Sequence, residues 1–314
     1  MKQDIIRLLI PAFCVVFLSP ATISASPGSE AMPFTRVTHD PVSASMGGTS
    51  IVRTSGMAWS SYSNAAAIPY SNETFDVAAS YQLWQPSGNP VNNISAGGAW
   101  NAGGKFGLSA GFTYGAGQKY DTVNSSGQVT GNFTPSEIQV NIGLAWKFLP
   151  FLSIGANVKY LNMTLAEGSG YGAVSSDIFL MTKLAGWRIA AGVSSIGSKV
   201  TSAGGEKFRL PASVTLGAGY GHVFGDRHGL DIMAEADWYL SGTASVSAGA
   251  SYTYNDLVSV RAGYRYGGDS VIPSYASVGA GVEFLGIRID AAYLIATGNS
   301  LLKNTFTVGA GFSF

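Results

Sequence analysis

Charge is what this sequence has least of. Only 11% of its 314 residues are charged, against about 25% in an ordinary soluble domain, so the usual solvated surface is missing. The two signs are equal, 18 Lys plus Arg and 18 Asp plus Glu, which removes the basic footprint that nucleic-acid binding needs. Cysteine is almost absent: the single Cys14 falls in an apolar run near the start, leaving no disulfide framework and no thiolate nucleophile in the rest. Long apolar runs are missing too. After residue 20 no stretch reaches the length of a spanning helix, about 18 or more consecutive apolar residues, which excludes a helical membrane bundle. What is abundant is glycine, 41 residues, roughly 13% against an average near 7%. Aromatics reach 12% and hydrophobic residues 46%. That combination points to a transmembrane β-barrel.

Residues 1–25 read as a signal peptide. Lys2 and Arg7 flank a charged start, Leu8 to Leu18 form an apolar run, and the small residues Ala21, Ser24 and Ala25 follow. This is the order of a secretory leader, with cleavage after Ala25. The apolar run is too short to span a bilayer. Cys14 lies inside it rather than at the cleavage point, which argues against lipidation.

From Thr74 onward apolar and polar residues alternate. In 137–147, Ile138, Val140, Ile142, Leu144 and Trp146 share one face, while Glu137, Gln139, Asn141, Gly143 and Lys147 share the other. Successive strand side chains point to opposite faces, so each such segment has one apolar and one wet surface. The pattern predicts fourteen strands, at 74–83, 91–100, 104–115, 136–147, 151–161, 174–184, 186–195, 212–222, 229–239, 243–254, 257–266, 275–284, 286–294 and 304–314. Most have the roughly 9–11 residues of a tilted membrane strand rather than the five or six of a soluble one. The gaps between them alternate between long and short, as in outer-membrane barrels with long loops at one rim and tight turns at the other. Tyr81, Trp100, Tyr114, Trp146, Tyr160, Trp187, Tyr220, Trp238, Tyr252, Tyr264 and Tyr293 fall near strand ends on the apolar face, where interfacial girdles form. The expected fold is therefore all-β: a closed antiparallel transmembrane barrel of about fourteen strands over 74–314. The final strand ends on outward-facing Phe312 and Phe314, which resemble the signal that the barrel assembly machinery reads.

The charges concentrate on the inward register. The bases there are Lys105, Lys147, Lys159, Lys183, Arg188, Arg261, Arg265 and Arg288; the acids are Asp76, Glu137, Asp177, Asp231, Glu235, Asp237, Glu283 and Asp290. Their equal numbers suggest paired networks, whereas a selectivity ring needs an excess of one sign. Glycine recurs on the same register, at Gly107, Gly143, Gly155, Gly217, Gly249, Gly263, Gly279 and Gly309, making room for a plug or easing a curved strand. Residues 26–73 do not alternate. Pro, Gly and Ser break regular structure, yet Phe34, Met46, Met57 and Trp59 supply apolar surface to bury, so this segment is expected inside the barrel as a hatch.

Catalytic chemistry has little to stand on. His39 falls in the hatch, His222 at a strand end and His228 in a short turn, a poor constellation for a His-activated nucleophile. No metal-ligand cluster is present, and the Gly-x-Gly pairs belong to strands, where a phosphate loop should open a helix. The expectation is a non-enzymatic protein without cofactor or metal.

A family resemblance is carried by Arg36, by Asp40 and the small-residue run that follows it through Met46-Gly47-Gly48, and by Asn64-Ala65-Ala66 before the first strand. Further matches are 131–137, 152–161, Ser176-Asp177 and Leu210-Pro211. Together these resemble the PorV/PorQ family, outer-membrane proteins found mainly in Bacteroidota with the fourteen-stranded barrel of FadL-type transporters. One departure is that the family's common Asn-Pro-Ala reads Asn64-Ala65-Ala66. The resemblance implies two functions. PorV-like members dock cargo of the type IX secretion system, for which loops 116–135, 162–173 and 196–211 would be the contact surface and secretion components or secreted proteins the partners. FadL-like relatives pass hydrophobic small molecules through a hatch and a lateral opening. That function expects an apolar lumen cavity lined by Met46, Met57, Phe179 and Met181; the last two are apolar residues on an otherwise polar register.

Overall fold

The computed structural model describes residues 30–85, 88–202, 204–267, 272–296 and 302–314; the leader read from residues 1–25 lies outside them. Fourteen antiparallel strands close into one barrel. They are β1 (Phe75–Trp84), β2 (Val91–Ala102), β3 (Phe106–Ala116), β4 (Ser136–Leu149), β5 (Leu152–Ala166), β6 (Ser169–Leu184) and β7 (Trp187–Gly197). The ring continues with β8 (Ser213–Phe224), β9 (His228–Tyr239), β10 (Ala244–Tyr254), β11 (Val258–Tyr266), β12 (Tyr275–Phe284), β13 (Ile287–Ala296) and β14 (Phe306–Ser313). Each strand pairs with its sequence neighbour, and β1 closes the ring on β14 with Asp76 opposite Ser313 and Leu83 opposite Phe306. Closure leaves no unpaired edge.

The alternation in the sequence sets which face is which. Along β3, Phe106, Leu108, Phe112 and Tyr114 are exposed on the outside, while Gly107, Ser109, Gly111 and Thr113 are buried within. Ile142, Leu144 and Trp146 of β4 and Val158 of β5 continue this apolar outer wall. The aromatics assigned to the girdles are exposed there, with Tyr220 half-buried 4.9 Å from the Trp187 ring. Phe312 and Phe314 face outward as well. At one rim the turns are tight. Ala185–Gly186 and Leu285–Gly286 have positive φ at both positions, the type I′ geometry that matches strand twist.

The opposite rim carries the long connections, with one correction. The loop expected at 162–173 is strand: β5 runs on to Ala166 and β6 begins at Ser169, with Asn162 opposite Gly172 and Met163 opposite Tyr171. Gly168, Gly170 and Gly172 interrupt the alternation there and hide the pairing. The loops after β3 and β7 each carry a small hairpin, Tyr120–Val123 with Val129–Phe133 and Val200–Thr201 with Lys207–Phe208.

The ladder slips near the strand ends at Lys147–Leu149 and Thr164–Ala166, and a third time beside the lumen's polar side. On β6 and β7, Ser176 pairs with Ile196 but Ile178 pairs with Val193. Ser194 and Ser195 are therefore both buried opposite Asp177, and Ser195 takes a φ of 55°. This is a bulge, with one extra residue on β7.

Residues 30–73 fill the lumen. Glu30 bridges Arg209 near the long-loop rim, and the carbonyl of Pro69 accepts from Lys147 Nζ at 2.9 Å near the tight-turn rim. Between them lie three 3-10 turns, Pro33–Arg36, Met57–Trp59 and Ala65–Tyr70, and one short helix α1 (Pro41–Ser45). Asp40 caps α1 by accepting from Val42 N and Ser43 N, each at 3.1 Å. Asn64 caps the last turn by accepting from Ala66 N at 2.9 Å. Such caps satisfy amides that a short turn leaves without partners. The wall glycines admit this plug. A Cβ on Gly155 would lie 2.1 Å from Ala66 N, one on Gly263 2.2 Å from Gly47 N, and one on Gly249 2.5 Å from Met46. Gly107, Gly217, Gly279 and Gly309 face Ile68, Ile51, Ser45 and Pro41 in the same way.

Candidate functional site

The side chains expected to line an apolar cavity are packed against one another instead. Met46, Phe179 and Met181 belong to a buried cluster with Ile51, Val52, Ala66, Ala67, Tyr70, Ala190 and Met233. Met57 is buried in a second cluster with Ala65, Ile68, Ala99 and Ala145. All four serve plug-to-wall packing, and of them Phe179 alone also borders the polar cavity described next. The broad apolar concavity, about 550 Å³, is on the outer wall, lined by Trp100, Phe106, Leu144, Trp146 and Ile154.

The lumen's main cavity is polar. It measures about 110 Å³ and lies between plug residues 35–40 and the wall of β5 to β9 and β11. Plug side chains on its border include Arg36, His39, Asp40, Ser43, Arg53, Trp59 and Tyr62; wall side chains include Lys159, Asp177, Phe179, Ser194, Thr215, Glu235, Asp237, Tyr239 and Arg265.

Most charges here are matched. Lys159 pairs with Asp177 at 2.6 Å, Arg265 with Asp237 at 3.5 Å, and Arg53 with Asp40. Thr215 Oγ1 donates to Asp237 at 2.7 Å, and Ser195 N donates to Asp177 at 2.8 Å. Glu235, expected in the wall network, instead accepts from the plug amides of Ser50 at 2.9 Å and Ile51 at 3.2 Å. Arg36 reaches across the end of the bulge, where β7 and β8 stop pairing at Ser194 and Ser213. Its guanidinium donates to Ser213 Oγ at 2.8 Å, to Ser194 Oγ at 3.3 Å and to the Pro211 carbonyl.

On this border the Nε atoms of Arg36 and Arg265 have no partner among the described residues, and two side chains have none at all: His39, at both ring nitrogens, and Ser43, at its hydroxyl. His39 is only 5% exposed, and its ring lies 5.8 Å from that of Tyr62, which in turn lies 5.5 Å from Trp59. His39 is in the plug, outside the wall strands. Burial, with the Lys159 ammonium nearby, pushes its imidazole down to about 4, so at neutral pH the ring offers one donor and one acceptor. The sequence reading weighed His39 only as a catalytic base. Its isolation from other His, Cys or acid clusters was visible, but its burial was not.

The rest of the expected charge network is split between wall pairs and plug anchors. Arg188 pairs with Asp231, Arg261 with Asp290 at 2.7 Å, and Arg288 with Asp76. Lys147 binds the Pro69 carbonyl rather than an acid. Glu137 and Glu283 form no ion pair among the described residues. Of the hatch motif, Gly47 donates its amide to Ser277 Oγ at 2.9 Å with φ 73°, Gly48 borders the chamber with φ 85°, and Asn64 Nδ2 donates to the Ile51 carbonyl at 2.7 Å.

No family model matches the chain, and no curated protein does. Solved structures do. The toluene transporter TbuX of Ralstonia pickettii is similar at a TM-score of 0.63 and 15% identity, covering 90% of this chain and 100% of its own. A monoaromatic hydrocarbon channel, CymD, gives 0.60 and 15%, covering 89% and 98%. The toluene transporter TodX of Pseudomonas putida gives 0.56 and 16%, covering 87% and 96%. Nothing in these comparisons singles out the PorV/PorQ proteins or Bacteroidota. At such identities the likeness speaks for architecture alone: a closed, fourteen-stranded antiparallel barrel with its N-terminal segment in the lumen.

Proposed function

We propose that this protein is an outer-membrane channel that passes small molecules through a hatch-filled barrel, and that it is not an enzyme. The observation that carries this reading is the plug itself, which runs from rim to rim yet leaves a chamber beside the bulge in β7. A protein that only docked others at its loops would have no need of a chamber there. The apolar outer wall supports a place in a bilayer, since charge is costly on a lipid-facing strand and absent from most of these positions. The similar structures named above are transporters and channels, which favours transport of small, largely apolar molecules over secretion docking. Arg36 bridges the bulge to the start of β8, and on this reading it holds the passage beside the chamber shut.

The test is flux. The full chain is reconstituted into liposomes and the entry of toluene, phenol and benzoate is followed against protein-free liposomes. Entry of at least one solute several-fold above the control is expected. Arg36→Ala should raise that flux. Liposomes no more permeable than the controls to all three would overturn the channel reading.

A further inference from the structure

We propose that the lumen chamber binds the hydroxyl group of a small uncharged molecule with an apolar body, an alcohol or a phenol, and that His39 recognises that hydroxyl. The inference deepens the channel reading and rests on it for the solute's route, though not for binding itself.

Four observations converge. First, size: about 110 Å³ is several times the roughly 10–15 Å³ that one water needs, and not far below the about 150 Å³ of an apolar cavity known to hold benzene. Second, the chamber has an aromatic side, Trp59, Tyr62 and Phe179, which suits a flat apolar body. Third, its charges are already matched or engaged. Arg53, Lys159 and Arg265 are ion-paired, Arg36 is spent on Ser194, Ser213 and the Pro211 carbonyl, and Glu235 on two plug amides, so an ionic solute would have to displace one of these contacts. Fourth, the side chains on this border with no partner at all among the described residues are neutral: His39, through both Nδ1 and Nε2, and Ser43, through Oγ, both nine-tenths or more buried; Arg36 and Arg265 leave only Nε unpaired and are held through their terminal nitrogens.

A buried polar group without a partner is costly. A hydroxyl both donates and accepts, so it can pair with the protonated or the bare nitrogen of the ring and still serve Ser43. A hydrocarbon of the same shape can do neither. Sites built to hydrogen-bond a hydroxyl discriminate strongly against the analogue that lacks it, and the choice between phenol and toluene is such a comparison.

The experiment follows the histidine side chains by NMR in the full chain, labelled on its imidazole nitrogens and held in detergent micelles. The chain has 3 His; His222 and His228 are exposed and report partition into the micelle. Phenol should shift the His39 signals saturably, at a concentration at least tenfold below that at which toluene does, while the other two histidines drift without saturating. Benzoate should leave His39 unmoved. His39→Leu should abolish saturable phenol binding, read on added phenol by saturation transfer. His39→Gln keeps a donor and an acceptor and should retain it within about tenfold; if the Leu variant fails to fold, Ser43→Ala provides the weakened site. Equal responses to phenol and toluene, a benzoate shift, or parallel drift of all three histidines would overturn the proposal. Saturable phenol binding in a barrel that passes no solute would overturn the channel and keep the site. Phenol flux with no His39 response would do the reverse.

Discussion

At Pro41, Met46, Gly47, Ala58 and Ala66 the plug is pressed against wall glycines that leave it nowhere to move; at Arg36, His39, Ser43, Arg53, Trp59 and Tyr62 its side chains face the wall across a chamber. In the first region a wall residue is needed for what it lacks, a Cβ. In the second it is needed for what it carries, a carboxylate, ammonium or hydroxyl. Tight seating and an accommodating site thus alternate along one short segment, and a solute can be bound without unseating the hatch.

The sharpest way to break this contrast is to remove a buried anchor from the seated region. Asp76 is fully buried, pairs with Arg288 and accepts from Ala58 N at 2.8 Å. Asp76→Ala should lose about 3–5 kcal/mol, the usual result of stranding one half of a buried pair, in equilibrium urea unfolding of the detergent-solubilised barrel. Asp237→Ala at the chamber should lose less, because Arg265 keeps Tyr239 Oη at 2.8 Å and Ser245 Oγ at 2.7 Å. Equal losses would erase the distinction. Next comes Met181→Ala, which opens a hole in the plug-to-wall cluster and should lose about 2–5 kcal/mol in the same unfolding assay. If Met181 lined a ligand cavity instead, the variant would unfold at the wild-type midpoint. Gly155→Ala forces a methyl against Ala66 and should lose about 1–3 kcal/mol by overpacking; an unchanged midpoint would mean that the plug yields. The smallest effect belongs to Ser43→Ala. Its hydroxyl has no protein partner, so unfolding should change by no more than about 0.5 kcal/mol, while phenol binding weakens.

How far the sequence reveals this arrangement depends on the range of the interaction. Strand alternation is local, with a period of two, so all fourteen strands are legible, and so are the inward glycines that face the plug. The extension of β5 and β6 is not, because Gly168, Gly170 and Gly172 erase the pattern that would mark it. Phe179 and Met181 invite a ligand reading because an apolar residue on a polar face looks purposeful; their purpose is to meet plug residues more than a hundred positions away in sequence. Glu235 reads as a wall cation's partner but serves plug amides. The chamber is the least legible part. His39 has no periodic neighbour, and its lack of a partner is a property of the closed barrel rather than of any motif.

The single extra residue in β7 also resets which side of the wall a side chain belongs to. Below it, Arg188 and Ala190 point inward and Trp187 points out; above it, Ser195 is inside and Ile196 outside. Because side chains alternate strictly, one residue of slip exchanges the two faces. Deleting Ser195 would merge the two phases into one unbroken alternation, with Ser194 inside and Ile196 still outside, and would abolish the bulge. The strand is in effect written in two reading frames, and the join between them is where Arg36 is anchored.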